Sequence, residues 1–281
     1  MTKKVLITGA SGFIGKNLKR FFEDKYLLFT PSHTYLDFRD ENSVEKYFKE
    51  NVFDFIIHCA SVGGVRGVKD DVTTLDDNIK MVKNILSFKE KNTKFILFSS
   101  GAMYDKSKPI KKVKEDEIKN SYPADLYGKS KKMIAQLVED RKDVVCLNIF
   151  ACYGYGEKES RFPTYAITQN LKHRKIEINQ NAIFDYLFIE DLCKIVEHFM
   201  KNTPSRNIIN VTSIVSIDLK TIAQIVNGFS DFQSEIIVKN KDLGNEYTGD
   251  NSRLIEEIPD FKFTKIETGL KLLFENIKNN L

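Results

Sequence analysis

Tyr127 and Lys131 stand four residues apart in the segment DLYGKSKK, and Ser99 and Ser100 close an earlier apolar run, KFILFSS. Four residues along a helix is about one turn, so the tyrosine and lysine share a face. A lysine beside a tyrosine favours the phenolate and lowers the phenol's pKa. Such a phenol exchanges a proton with a hydroxyl or carbonyl oxygen near neutral pH. A serine at the end of a neighbouring strand can hydrogen-bond the same oxygen. The chemistry these residues suit is proton transfer at an oxygen being oxidised or reduced.

A redox partner for that chemistry has a place at the start of the chain. In VLITGASGFIGKNL three glycines, Gly9, Gly12 and Gly15, recur every third residue after an apolar run and before a helical pattern. Glycines at a strand-to-helix turn permit positive φ and let the backbone approach a pyrophosphate. The helix N-terminus, at Phe13, Ile14 and Gly15, then offers N–H groups and a positive dipole end. The spacing GxxGxxG departs from the more familiar GxGxxG, but its position after the first strand suits a dinucleotide cradle. NAD binders usually carry an acidic residue at the end of the second strand. Here that strand runs into FTPSHTYLDF, where Ser32 and His33 are available to a 2′-phosphate. The pattern favours NADP, with NAD as the alternative.

The elements that must carry these residues follow from hydrophobic periodicity. Short apolar runs (KVLITG, YLLFT, FDFIIHCA, KFILFSS, DVVCLNIF) alternate with amphipathic segments such as SVEKYFKEN, TLDDNIKMVKNILSFKE and LYGKSKKMIAQLVED. Strands alternating with helices predict right-handed crossovers and a parallel sheet covered on both faces. After Phe150 the pattern loosens, although FDYLFIEDLCKIVEHFM reads as a strand end and a helix, and NIINVTS as a further strand. The stretch from about Ser213 is mixed and polar. The predicted fold is α/β, a Rossmann-type doubly wound parallel sheet with a smaller C-terminal lobe. Residues 1–153 plus 183–212 would form the dinucleotide-binding domain, and 154–182 plus 213–281 a substrate-binding lobe.

Composition narrows the function classes. The 281 residues carry a net charge of +4, with basic and acidic residues interspersed. The densest basic stretch, KSKPIKKVK, is followed at once by acid and reads as a solvated loop, so no nucleic-acid partner is expected. The four cysteines, Cys59, Cys146, Cys152 and Cys193, form no CxxC pair and read as reduced thiols. The four histidines form no HxxH cluster, so no metal site is expected. No apolar run approaches a membrane span, and the chain passes from TKK straight into a strand with no signal peptide pattern. A soluble, cytoplasmic protein is expected.

Taken together in this order, the motifs resemble the extended short-chain dehydrogenase/reductases, in their nucleotide-sugar epimerase, dehydratase and reductase branch. The resemblance runs over nearly the whole chain, from ITGASGFIG through FSSGAMY and PADLYGKSK to FDYLFIEDL and the closing DNSRLIEEIPDFKFTKIETGLK. It implies that Ser100, Tyr127 and Lys131 are catalytic. Ser100 is preferred to Ser99 because the family's serine lies four before the tyrosine of its SSxxxY motif, here Tyr104. It also implies that Asp37 and Phe38 lie by the adenine, that Ala60 and Ser61 lie along the cofactor, and that Cys152 lines the nicotinamide side. The stretch HCASVGGVRG looks like the AAxVGG segment of GDP-fucose synthases and brings in Gly63. Substrate would meet Gly63, Ala102, Met103, Arg161, Lys172 and Arg253, with Arg174 a further candidate.

Three departures from the family pattern carry information. Dehydratases place an acidic pair after the catalytic hydroxyl, where this chain has Gly101 and Ala102. Fucose synthases epimerise with a cysteine two after the serine and a distant histidine. Here the first position is Ala102 and near the second stands Arg161. Many members hold the diphosphate with an arginine before DY, which here is Phe184. The resemblance thus implies an NADPH-dependent keto-reductase acting on a nucleotide-activated 4-keto-6-deoxy sugar. A C4 epimerase that retains NAD would use the same residues, and a non-catalytic cofactor-binding sensor is the remote alternative. Asn78 and His58 are read as structural. A homodimer through the helices at 75–91 and 126–140 would follow the family pattern.

Overall fold

The computed structural model describes residues 2–65 and 67–281, so Arg66 of the VGGVRG stretch lies outside the described residues. Two compact units are present. One comprises Met1–Lys106, Lys114–Ile149 and Cys193–Asn210, the other Ser107–Val113, Phe150–Leu192 and Val211–Leu281.

The first unit begins β1 (Lys4–Thr8), α1 (Phe13–Phe22), β2 (Leu27–Phe29), α2 (Glu41–Glu50), β3 (Phe55–His58), α3 (Thr74–Phe88) and β4 (Lys94–Ser100). A short strand of the second unit, β5 (Ile110–Val113), intervenes before α4 (Leu126–Val138) and β6 (Val144–Ile149). After β7 (Ala151–Tyr153), α5 (Phe162–Leu171), β8 (Ile176–Gln180), β9 (Ile183–Phe184) and β10 (Tyr186–Phe188) of the second unit come α6 (Ile189–Lys201) and β11 (Ile208–Val211). Six parallel strands lie in the order β11-β6-β4-β3-β1-β2. Their apolar runs are buried from end to end, Val5 to Ile7, Ile56 and Ile57, Phe95 to Leu97, and Val144 to Leu147. Runs without alternation are what a parallel sheet covered on both faces requires. Leu18 and Phe22 of α1, and Ile134, Ala135 and Val138 of α4, supply helical apolar faces. The order reverses beside β1, whose two neighbours are β2 and β3. In open α/β sheets such a reversal opens a crevice at the strands' carboxyl ends.

The second unit continues with β12 (Ile217–Asp218), α7 (Leu219–Asn227), β13 (Ile236–Asn240), β14 (Tyr247–Gly249), α8 (Ser252–Glu257) and α9 (Ile266–Lys278). Its strands make three small sheets, β10-β7, β12-β9-β14-β5 and β13-β8. Two expectations need correction. The basic stretch around residues 106–114 is not simply a solvated loop. Ile110 and Val113 are buried at the ends of β5, which pairs with β14, while Lys111 and Lys112 face out. The expected domain boundaries also shift. Strand pairing draws 107–113 through β5, and 150–153 and 183–188 through β7 and β10, into the second unit.

Buried in the second unit is an incompletely satisfied carboxyl. Glu157 Oε2 accepts from Thr164 Oγ1 at 2.9 Å, while buried Oε1 has no hydrogen-bond partner among the described residues and lies 3.5 Å from Arg161 Nε. Burial pushes this carboxyl up to about 7. A carboxyl whose folded pKa is raised stabilises the fold least where it must ionise, so its contribution falls as pH rises from about 4.5 to about 7. Glu157→Gln is expected to gain about 1–3 kcal/mol of stability over the natural chain at pH 8 relative to pH 5. Urea unfolding at the two pH values checks this, and an identical difference at both would contradict it.

Candidate active site

The glycine loop lies at the sheet's order reversal. Gly9 has φ of 63°, and a Cβ there would lie 2.7 Å from the backbone nitrogen of Ala60 in the loop after β3. Only a residue without a side chain lets these two backbones meet. Gly12 N–H donates to Gly9 O at 3.0 Å and closes the turn. Gly12 is also the N-cap of α1 and supplies no side-chain cap. The first-turn N–H groups of Phe13, Ile14 and Gly15 have no acceptor within the helix, and they stand at its positive dipole end. Gly15 is buried, where a Cβ would run into the Gly9 carbonyl oxygen.

Around this loop the buried polar groups are satisfied in a fixed arrangement. Thr8 Oγ1 accepts from Ala60 N–H at 3.1 Å and shares a hydrogen bond with His58 Nδ1 at 2.8 Å. Burial together with the Lys131 charge pushes the His58 pKa down to about 3. Neutral and 4% exposed, it is a core residue. Asn78 uses both ends of its amide. Its oxygen accepts from Val62 N–H at 2.8 Å and Ser61 Oγ at 3.3 Å, and its nitrogen donates to Val62 O at 2.9 Å and Ser130 Oγ at 3.1 Å. It pins the loop after β3 to α4.

The two serines divide between structure and site. Ser99 Oγ is buried and donates to the Lys131 carbonyl at 3.1 Å. Ser100 Oγ accepts from Ala102 N–H at 3.1 Å, and its own proton has no acceptor among the described residues. It caps the short 3₁₀ turn Gly101–Met103 at the carboxyl end of β4. Tyr127 and Lys131 occupy successive turns of α4, which Asp125 caps by accepting from Gly128 N–H at 2.6 Å. Lys131 Nζ stands 5.3 Å from the Tyr127 ring centroid and donates to the Phe98 carbonyl at 3.0 Å. The lysine is 5% exposed, and burial lowers its pKa to about 8, against an opposing pull from Cys146 and Cys59.

Beyond β2, Ser32 Oγ and Thr34 Oγ1 are 2.9 Å apart, and His33 is largely exposed. The strongest charge here is one that sequence reasoning missed. The Arg39 guanidinium is held by Asp37, with Nη2 at 2.8 Å, and by Asp77, with Nη1 at 3.1 Å, while Nη2 lies 3.3 Å from His33 Nε2. Hydrogen bonding to Arg39 holds the Asp37 carboxyl below the usual range. Phe38 is buried, with its carbonyl accepting from Asn84. The only signal for Arg39 was its place two residues beyond Asp37 in LDFRD.

Residues 5–212 match the model of the NAD dependent epimerase/dehydratase family. The chain belongs to that family. It is similar over almost its full length to a GDP-6-deoxy-D-talose 4-dehydrogenase of Aggregatibacter actinomycetemcomitans, 24% identical over 292 residues and covering 97% of each chain. A GDP-L-colitose synthase of Yersinia pseudotuberculosis is 35% identical over 108 residues, 37% of this chain and 35% of that one. In fold it is similar to the NADP-bound GDP-mannoheptose C4 reductase of Campylobacter jejuni, with a TM-score of 0.85 at 18% identity over 99% of this chain and 98% of that one.

An epimerase/dehydratase family member needs a nicotinamide dinucleotide, and the residues present fit one. The Gly9 approach to Ala60 and the uncapped first turn of α1 suit a pyrophosphate, which the N–H groups of Phe13, Ile14 and Gly15 would hold. Ala60 and Ser61 follow β3 in the neighbouring loop. Ser100, Tyr127 and Lys131 follow from β4 and α4 in the same unit.

Of the expected substrate residues, Gly63 is exposed with φ of 81°, and Ala102 is buried in the 3₁₀ turn. Met103 needs correction. Its side chain is 0% exposed, with its sulfur 3.7 Å from Ser99 Oγ, so it packs the turn from inside and presents nothing to a ligand. The remaining candidates belong to the second unit. Arg161 stands at the N-cap position of α5 beside Glu157, Lys172 pairs with Glu159 at 3.4 Å, and Arg253 lies in α8, while Cys152, expected on the nicotinamide side, is buried in β7 opposite Leu187.

Gly9→Ala is expected to cost about 1–3 kcal/mol of stability through its positive φ and to weaken dinucleotide binding at least tenfold by opening the loop. Fluorescence titration with NADPH checks this, and unchanged affinity would contradict the cradle.

Proposed function

We propose that this enzyme is an NADPH-dependent reductase of a nucleotide-activated 4-keto-6-deoxy sugar. The observation that carries the reading is the arrangement of Ser100, Tyr127 and Lys131, with a serine proton left unengaged and an ammonium one helical turn from a phenol. The similarity to enzymes named for GDP-linked deoxysugars supports the substrate class. Gly101 and Ala102, where dehydratases carry acid and fucose synthases a cysteine, speak for plain reduction without elimination or epimerisation beside the ketone.

When bound, the nicotinamide supplies the hydride. Ser100 donates its hydroxyl proton to the ketone oxygen and orients it. Tyr127 delivers a proton to the oxygen as negative charge develops on it. The Lys131 ammonium stabilises the phenolate left behind. With a pKa of about 8, Lys131 is still mostly charged at neutral pH. Arg39 offers its guanidinium to a 2′-phosphate, which favours NADPH. In the first unit, substrate contact falls to Gly63 and Ala102. We read a homodimer through α3 and α4, on which Met133 and Leu137 are 48% and 40% exposed.

The second reading, a C4 epimerase retaining NAD, draws on Asp37, a carboxylate beyond β2 that could hold a ribose 2′-hydroxyl. Denaturing the purified enzyme and identifying any released nucleotide separates the two. An empty site that prefers NADPH supports the reductase, and tightly held NAD supports the epimerase. Tyr127→Phe is expected to lower kcat by about 10²–10⁴-fold while NADPH still binds, and full turnover would overturn the mechanism. Arg39→Ala is expected to weaken NADPH binding about tenfold or more, with NADH little changed. Equal loss for both cofactors would contradict the role of Arg39 in selection.

A further inference from the structure

Asp70 takes no part in the chemistry above, yet its carboxylate joins the two backbone segments that bracket Tyr127. One oxygen accepts from Gly64 N–H at 2.9 Å, and the other from Tyr127 N–H at 2.8 Å, 57 residues along the chain. The second bond fills a first-turn donor of α4, next to the one that Asp125 fills through Gly128. The first closes the turn after β3, in which Gly63 and Gly64 have φ of 81° and 70°.

That turn lies directly against the phenol. A Cβ on Gly64 would stand 2.9 Å from Cγ, Cδ1 and Cε1 of Tyr127, and one on Gly63 would stand 2.7 Å from Asp70 Oδ1. The Tyr127 ring therefore has peptide backbone packed on it, and it cannot swing without displacing the turn. The turn in turn cannot withdraw while Asp70 holds it to the start of α4. Lys131 meets the same ring from the following turn of the helix, 5.3 Å from its centroid.

We infer that Asp70 is the positioning residue for Tyr127, fixing the direction of the phenol by anchoring both the end of α4 and the Gly63–Gly64 wall. The inference rests on the reading of Tyr127 as proton donor. A proton donor displaced by a fraction of an ångström loses much of its effect, because the rate depends on a pre-set geometry. A carboxylate suits the task because it is acceptor-only and serves two N–H donors at once. An asparagine would keep one acceptor and turn an NH₂ toward the other donor.

The test measures Asp70→Ala and Asp70→Asn for thermal midpoint, NADPH dissociation constant, kcat and KM, and repeats kcat in single turnover on a Tyr127→Phe background. For Asp70→Ala, kcat is expected to fall about tenfold to a hundredfold, with NADPH affinity within about twofold because the glycine loop is untouched. Asp70→Asn should lie between Asp70→Ala and the natural chain. On the Tyr127→Phe background the loss should vanish, since a positioning effect needs the group it positions. An unchanged kcat in Asp70→Ala, or a loss that persists without the phenol, would overturn the inference while leaving Tyr127 in its role. Full turnover in Tyr127→Phe alone would instead overturn the role and the inference together. If Asp70→Ala does not fold, Asp70→Asn carries the same comparison.

Discussion

A single buried ammonium organises the site. Lys131 reaches the carboxyl end of the parallel sheet, gives a hydrogen bond to the Phe98 carbonyl, and is almost wholly removed from water. A cation in that position is costly unless its neighbours accommodate it. They do so in specific ways. His58 is neutral and hydrogen-bonded to Thr8, so it adds no like charge, and the Tyr127 ring lies within reach of the ammonium. Taking Lys131 away would leave a carbonyl unpaired and a void at the strand ends, so the group proposed to tune the phenol also bears on the fold.

From this point the rest of the arrangement follows by connectivity. Thr8 joins β1 to β3 through His58 and Ala60, and Gly9 lets the loops after those strands touch. Asn78 then ties the loop after β3 to Ser130, one residue before the lysine. The glycine loop and the proposed proton-transfer residues are therefore parts of one hydrogen-bonded frame at the sheet's order reversal. Such a frame sets positions before any ligand arrives, which is where much of the rate enhancement of such enzymes originates.

Much of this was legible in the sequence because it is local. The GxxGxxG turn, the alternation of strands and helices, and a tyrosine and lysine four apart each express a period of the backbone. The choice of Ser100 over Ser99 came from resemblance, and the hydrogen bond from Ser99 to the Lys131 carbonyl is a through-space feature that no local pattern shows. The unread features are those made through space. Asp70 meets Tyr127 across a long stretch of chain, Arg39 in the turn before α2 pairs with Asp77 on α3, and β5 is a strand only because β14 lies beside it. Met103 looked like a lining residue by position, but a 3₁₀ turn points it inward, and no pattern of types predicts that rotation. The C-terminal stretch read as mixed because its helices α7 and α9 are short amphipathic pieces separated by strands that pair only in small sheets.

The central claim is a net hydride transfer to a ketone carbon, completed by a proton from Tyr127. Its most direct measurement uses NADPH deuterated at both positions of nicotinamide C4, with a GDP-linked 4-keto-6-deoxyhexose, followed by mass spectrometry and NMR of the sugar nucleotide. The account requires one deuterium at sugar C4 and one NADP formed per sugar reduced. Interconversion of C4 epimers with no NADPH consumed and no deuterium gained would contradict it.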